Sequence, residues 1–172
     1  MILRKINAIL ALTSTLLLMD HAVFHAVWML SRGAITKTES PLSFILCGFI
    51  AAHAVISILL AFLGHKGAEN RKCNSYAKLN ASTMIQRISG ILLIVFTALH
   101  VGPLRPPKAL LMVLQSLFFA IALLHVAVST EKAFITLGIG NAKTIKTIGI
   151  IVKLVCAVTF IAAVVGFYLY AC

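Results

Sequence analysis

The sequence predicts an all-α integral membrane protein: one domain over residues 1–172, a bundle of five transmembrane helices with its N-terminus in the cytoplasm. Three observations predict it. Of 172 residues, 61% are hydrophobic and only 11% charged, whereas soluble domains carry about 45–50% apolar and about 25% charged residues. A water-exposed chain of this make-up would present large apolar patches, and lipid removes that penalty provided the backbone is paired internally. Five apolar stretches are each long enough to cross about 30 Å of hydrocarbon. Helix-breaking or polar segments separate all five.

Helix I is expected near 6–30. Arg4 and Lys5 precede its apolar run as in a signal peptide, but no small-x-small cleavage site follows and the run continues through Asp20 and His21 to Leu30, so it reads as a retained helix. Helix II is expected near 43–64, after a connection holding Gly33 and Pro41. Helix III is expected near 84–101, after a segment rich in Lys, Asn and Gly. Gly102, Pro103, Pro106 and Pro107 forbid its continuation into helix IV. Helix IV is expected over 109–137 and helix V over 148–171, with Gly138, Gly140 and Asn141 as breakers between them.

Lys and Arg outnumber Asp and Glu 15 to 4, a net charge of +11. Because the basic residues lie between apolar segments, they read as topology signals and not as a nucleic-acid surface. Arg4, Lys5, Lys66, Arg71, Lys72, Lys78, Lys132, Lys143 and Lys146 fall on one side, and Arg32, Lys37, Arg105 and Lys108 on the other. That excess puts the N-terminus in the cytoplasm of a multi-pass protein of the cytoplasmic (inner) cell membrane. A basic rim also favours anionic lipid head groups. Cys47, Cys73, Cys156 and Cys172 form no C-x-x-C pair, which argues against a cysteine-held cluster, a structural zinc or a c-type haem.

Five histidines fall inside the expected spans: His21, His25, His53, His100 and His125. His65 sits at the end of helix II and reads as interfacial. Intramembrane ligating groups default to a functional reading. Measured from the cytoplasmic edge, His21 lies about 22 Å deep, His100 about 24 Å, His53 about 16 Å and His125 between about 6 and 18 Å. The histidines therefore sort into an outer pair from helices I and III and an inner pair from helices II and IV. Two imidazoles at one depth on facing helices are what bis-histidine haem b needs, and two such levels would hold two haems. Lone helical histidines can also serve as hydrogen-bonding glue, and zinc would usually draw three ligands to one point. His25, one turn from His21, competes for the outer position.

Helix III opens on Ile85-Gln86-Arg87-Ile88-Ser89-Gly90, with His100 ten residues after the glycine. This Q-R-x-S-G segment resembles the cytochrome b membrane anchor of the succinate:quinone oxidoreductases, the succinate dehydrogenase and fumarate reductase family. Leu17-Leu18-Met19-Asp20-His21, Ala52-His53-Ala54-Val55 and Leu123-Leu124-His125 resemble the ligand segments of its five-helix, two-haem members. The resemblance implies His21 and His100 as ligands of a distal haem b, favours His21 over His25, and implies His53 and His125 as ligands of a proximal one. It further implies a flavoprotein subunit and an iron–sulfur subunit on the cytoplasmic side. A membrane quinone is the electron partner, with menaquinone the expectation, and a higher oligomer of the complex is left open. Leu123 stands where some members carry an acid.

Haem propionates need cationic or hydrogen-bonding partners. Gln86, Arg87 and Ser89 are the first candidates, Asn7 and Lys132 the next, and Arg105 could serve the distal haem. Glu39, with Ser40 and Ser43, is a candidate at a quinone site, and Lys153 is expected to snorkel. The chain lacks a G-x-G-x-x-G fingerprint, so dicarboxylate chemistry would belong to its partners and this chain would contribute no catalytic residue to it. A di-haem subunit of another membrane oxidoreductase, and a haem-free transporter or anchor, are the competing readings.

Overall fold

The computed structural model describes residues 2–31, 41–68, 76–102 and 107–171. They form five helices and no strand: α1 (Ile2–Leu30), α2 (Pro41–Ala68), α3 (Tyr76–Val101), α4 (Lys108–Leu137) and α5 (Ala142–Ala171). All five are long and apolar enough to cross a membrane. Their outward faces carry exposed apolar side chains such as Phe44 (74% exposed), Phe62 (70%) and Val158 (69%), as lipid-facing helices should.

Each helix begins earlier than hydropathy places it, because helix and membrane span are different quantities. Pro41 opens α2, where its missing N–H costs nothing. The start of α5 lies six residues before the expected one. Asn141 caps it by accepting the Thr144 backbone N–H at 2.9 Å and the Thr144 hydroxyl at 3.1 Å, which satisfies donors a helix start leaves orphaned. The preceding turn is short because Gly138 takes a left-handed conformation (φ 73°) and ends α4. Ile139 N–H reaches back to the Phe134 carbonyl at 3.2 Å, closing the last turn.

The interior is built on α1, α4 and α5. Ala22 and Ala26 of α1, Ala122 and Val126 of α4, and Cys156, Phe160 and Ala163 of α5 form one buried cluster. Small side chains let the backbones approach, which is how packing and not hydrophobic exclusion holds helices together in lipid. A Cβ on Gly166 would lie 3.3 Å from the Ala26 carbonyl, and the Cys156 thiol meets the Met19 sulfur at 3.4 Å.

α2 packs on α1, and α3 packs on α4. Among the described residues, α2 and α3 share at most marginal contact, as do the diagonal pairs α1–α3 and α2–α4. The bundle is therefore an α1–α4–α5 wedge with two outer helices held apart. Between them lies a cavity of about 420 Å³ walled by α1, α2, α3 and α4. That size falls within the roughly 300–1,000 Å³ of pockets that bury an organic ligand.

Candidate functional site: two levels of paired imidazoles

Two histidine pairs span the bundle, one across each diagonal, and the inner pair lies in the cavity. The His21 ring of α1 faces His100 of α3, with centroids 6.4 Å apart and planes at 87°. The His53 ring of α2 faces His125 of α4, again at 6.4 Å, with planes at 73°. His53 and His125 both line the cavity. The His25 ring lies 4.4 Å from that of His21, tilted by 55°, and edges against Phe24 at 5.9 Å.

Cross-bundle contacts fix the spacing of the levels. Ser43 meets His21 and Gln115 meets His100 at the outer level, while Gly90 packs on His125 at the inner one. Ser43 to His53, Gln115 to His125 and Gly90 to His100 are each ten residues. At about 1.5 Å per residue the levels stand about 15 Å apart. Three helices give the same interval, as antiparallel packing requires.

Three of the four imidazoles have a polar partner on Nδ1. His21 Nδ1 lies 3.2 Å from the Ser43 hydroxyl. His100 Nδ1 donates to the Gln115 amide oxygen at 3.2 Å. His125 Nδ1 lies 3.0 Å from Ser89 Oγ. Ser89 spends its own proton on the Gln86 carbonyl at 3.2 Å, so it accepts from His125 Nδ1–H. With Nδ1 protonated, Nε2 carries the free lone pair, the usual arrangement behind a metal-bound histidine. The His53 Nδ1 is buried near the Asn7 backbone, with no well-formed hydrogen bond among the described residues.

The spacing can be tested against a bis-imidazole metal. Two metal–nitrogen bonds of about 2.0 Å, plus about 1.1 Å from each nitrogen to its ring centre, separate coaxial rings by about 6.2 Å. Both pairs stand at 6.4 Å. A direct imidazole–imidazole hydrogen bond would join nitrogens at about 2.7–3.2 Å, and it would ordinarily join helices that pack together. Each pair here spans helices that do not. Among the described residues no three His, Cys, Asp or Glu side chains converge as a metal cluster. Both pairs thus stand at the separation that a metal bound between two imidazoles would need, and the inner pair does so on the wall of the cavity.

The remaining polar residues gather at the end of the cleft nearer the N-terminus. Asn7, Gln86 and Arg87 line the cavity. Asn7 Oδ1 accepts from the Ser57 hydroxyl at 3.2 Å. Lys132 Nζ donates to Gln86 Oε1 at 3.0 Å, which frees the Gln86 amide N–H groups for an acceptor. Ser89, expected with this group, is instead 2% exposed and engaged with His125. Ser43, expected near a quinone, contacts His21. Lys153 does not simply snorkel. It pairs with Glu131 of α4, and Gly149 makes the room, since a Cβ there would lie 2.7 Å from Glu131 Cγ. Glu39, Ser40, Arg105 and the side chain of His65 lie outside the described residues.

Sequence reasoning passed over Gln115, Phe118 and Glu131. Gln115 had a legible signal: it stands ten residues before His125, the interval that separates the two levels. No protein-family model matches this chain, and neither a curated protein nor a solved structure matches it.

Proposed function

We propose that this chain is the cytochrome b membrane anchor of a succinate:quinone oxidoreductase-type complex, carrying electrons between partner subunits and a membrane quinone. The observation that carries the reading is the repetition of one unusual geometry at two depths. Two imidazole pairs stand at 6.4 Å across helices that share at most marginal contact, the inner pair on the wall of the cavity. In this reading His21 and His100 hold the outer haem b, and His53 and His125 the inner one. The haems supply one-electron redox chemistry, and the protein sets ligation, spacing and electrostatics.

The chain's own groups then have definite tasks. Ser89 and Gln115 hold imidazole tautomers with Nε2 free. Arg87, Asn7 and the Gln86–Lys132 pair meet the inner haem's carboxylates, where a guanidinium can bind two oxygens at once. With the N-terminus in the cytoplasm, the inner level lies toward a flavoprotein and an iron–sulfur subunit docked on the basic face. The outer level lies toward quinone, with menaquinone the expected species. The site is then a multi-pass protein of the cytoplasmic membrane. An electron moving about 15 Å between levels crosses about half of a 30 Å core. It therefore couples to the membrane potential by about 1.1 kcal/mol per 100 mV, half of the full-span value.

Purification in mild detergent, followed by a haem-to-protein ratio, tests the reading. Two haems b per chain are expected. Replacing His21, His53, His100 or His125 singly with Ala should remove one of them. Full pigment in all four variants, or none in the unaltered protein expressed with excess haem, overturns it in favour of a haem-free membrane protein. Co-purifying flavin and iron–sulfur subunits separate this assignment from other di-haem oxidoreductases.

A further inference from the structure

Helix α4 supplies a ligand candidate only at the inner level, yet it dominates the surroundings of the outer one. His100 stands one residue before the end of α3. Its neighbours Leu99 (37% exposed) and Val101 (64%) face outward, and α3 packs extensively on α4 alone. Burial by several helices cannot hold this ring in one orientation. Two side chains of α4 do so. Gln115 Oε1 accepts from His100 Nδ1 at 3.2 Å. The face of Phe118 lies against the imidazole with centroids 5.7 Å apart and planes at 27°.

Gln115 and Phe118 are three residues apart, neighbours on one helical face. One of them constrains an edge of the ring and the other its plane. Phe118 is itself fixed, being 9% exposed and in contact with Phe96 at 6.3 Å and Phe119 at 5.9 Å. Phe119 in turn rests on Phe160 of α5 at 5.4 Å. The orientation of His100 is thus referred through aromatic contacts to the buried core of the bundle.

We propose that Gln115 and Phe118 are positioning residues that lock the rotation of the His100 ring and so hold the two outer imidazoles nearly perpendicular. The inference rests on the haem reading above. For a ferric haem between two imidazoles, the angle between the ring planes governs the splitting of the iron d-orbitals. Perpendicular rings give a highly anisotropic low-spin electron paramagnetic resonance signal, and parallel rings a rhombic one. A ring freed from its clamp relaxes away from 87°, and the largest g-value of that haem falls.

The test uses the full chain in detergent with Gln115→Leu, which removes the acceptor at similar size, and Phe118→Leu, which removes the flat face while keeping an apolar filler. Phe118→Tyr retains the flat face and serves as the rescue. The expected result is a lowered largest g-value for one haem in both Leu variants, the other haem signal unmoved in Gln115→Leu, whose side chain does not line the inner cavity as Phe118 does, and Phe118→Tyr like the unaltered protein. Loss of one haem in a Leu variant, with the second retained, also supports the clamp. Two haems with unchanged signals in both Leu variants overturn this inference and leave the haem reading standing. An unaltered protein without haem overturns both.

Discussion

Replacing Ser89 with Ala removes one oxygen from a site that is 2% exposed. That oxygen accepts from His125 Nδ1 at 3.0 Å and donates to the Gln86 carbonyl at 3.2 Å. The carbonyl keeps its helical partner, and the imidazole N–H loses its hydroxyl acceptor and is left with only that already engaged carbonyl nearby. An unsatisfied buried donor costs about 1–3 kcal/mol, and loss of an outer hydrogen bond to a metal-bound histidine lowers metal affinity about 10–100-fold. At about 1.4 kcal/mol per factor of ten, the two estimates agree at about 1.4–2.8 kcal/mol. In the proposed di-haem protein, Ser89→Ala should therefore release one haem about 10–100-fold more readily to an excess of apomyoglobin, monitored by the Soret band, while the second transfers at its original rate. Equal release of both haems, or of neither, would refute the assignment of Ser89 to the inner level.

Two further substitutions probe the scaffold. Glu131 and Lys153 are 39% and 33% exposed, so their ion pair is partly screened. Either Glu131→Gln or Lys153→Met should lower stability by about 1 kcal/mol, well short of the 3–5 kcal/mol of a fully buried pair. The double variant should lose less than the sum, as read from thermal unfolding in detergent. Ala163→Leu adds three carbons at a position that is 0% exposed in the central cluster. Overpacking there should cost about 1–3 kcal/mol, read from thermal unfolding in detergent, and under the proposed di-haem reading it should loosen both haems together, in contrast to the single-haem effect of Ser89→Ala.

The five spans are legible in the sequence because lipid demands length and apolarity, and both are one-dimensional properties. The two histidine levels are legible for a related reason: in antiparallel helices, depth is linear in residue number. What the sequence hides is rotation about each helix axis. A helix apolar all round carries no stripe to say which face meets a neighbour. Phe118 and Gln115 therefore look like ordinary members of helix IV until α4 is placed against α3. Glu131 and Lys153 are hidden in the same way, since nothing along the chain says that residues on consecutive spans share a face. The start of α5 is invisible to hydropathy because its first turn is polar and the Asn141 side chain sets it.

The helix without a candidate ligand explains how the others can hold theirs. The imidazoles meet at 6.4 Å across diagonals that share at most marginal contact, and among the described residues α2 and α3 likewise give each other little direct support. They hang from α1 and α4, and those two must be rigid without the support of a closed four-helix ring. α5 provides that rigidity from behind, through the alanine-lined crossing with α1 at Ala22, Ala26 and Ala163 and the Glu131–Lys153 link to α4. An ordinary packed bundle would draw α2 and α3 together and fill the space between them with side chains. Here Gly90 stands opposite the ring of His125, where even a Cβ would come within 3.2 Å of it. The absent side chain lets α3 close on α4 directly over the inner imidazole, so the ring of His125 is held by backbone proximity on one side while its other side borders the cavity.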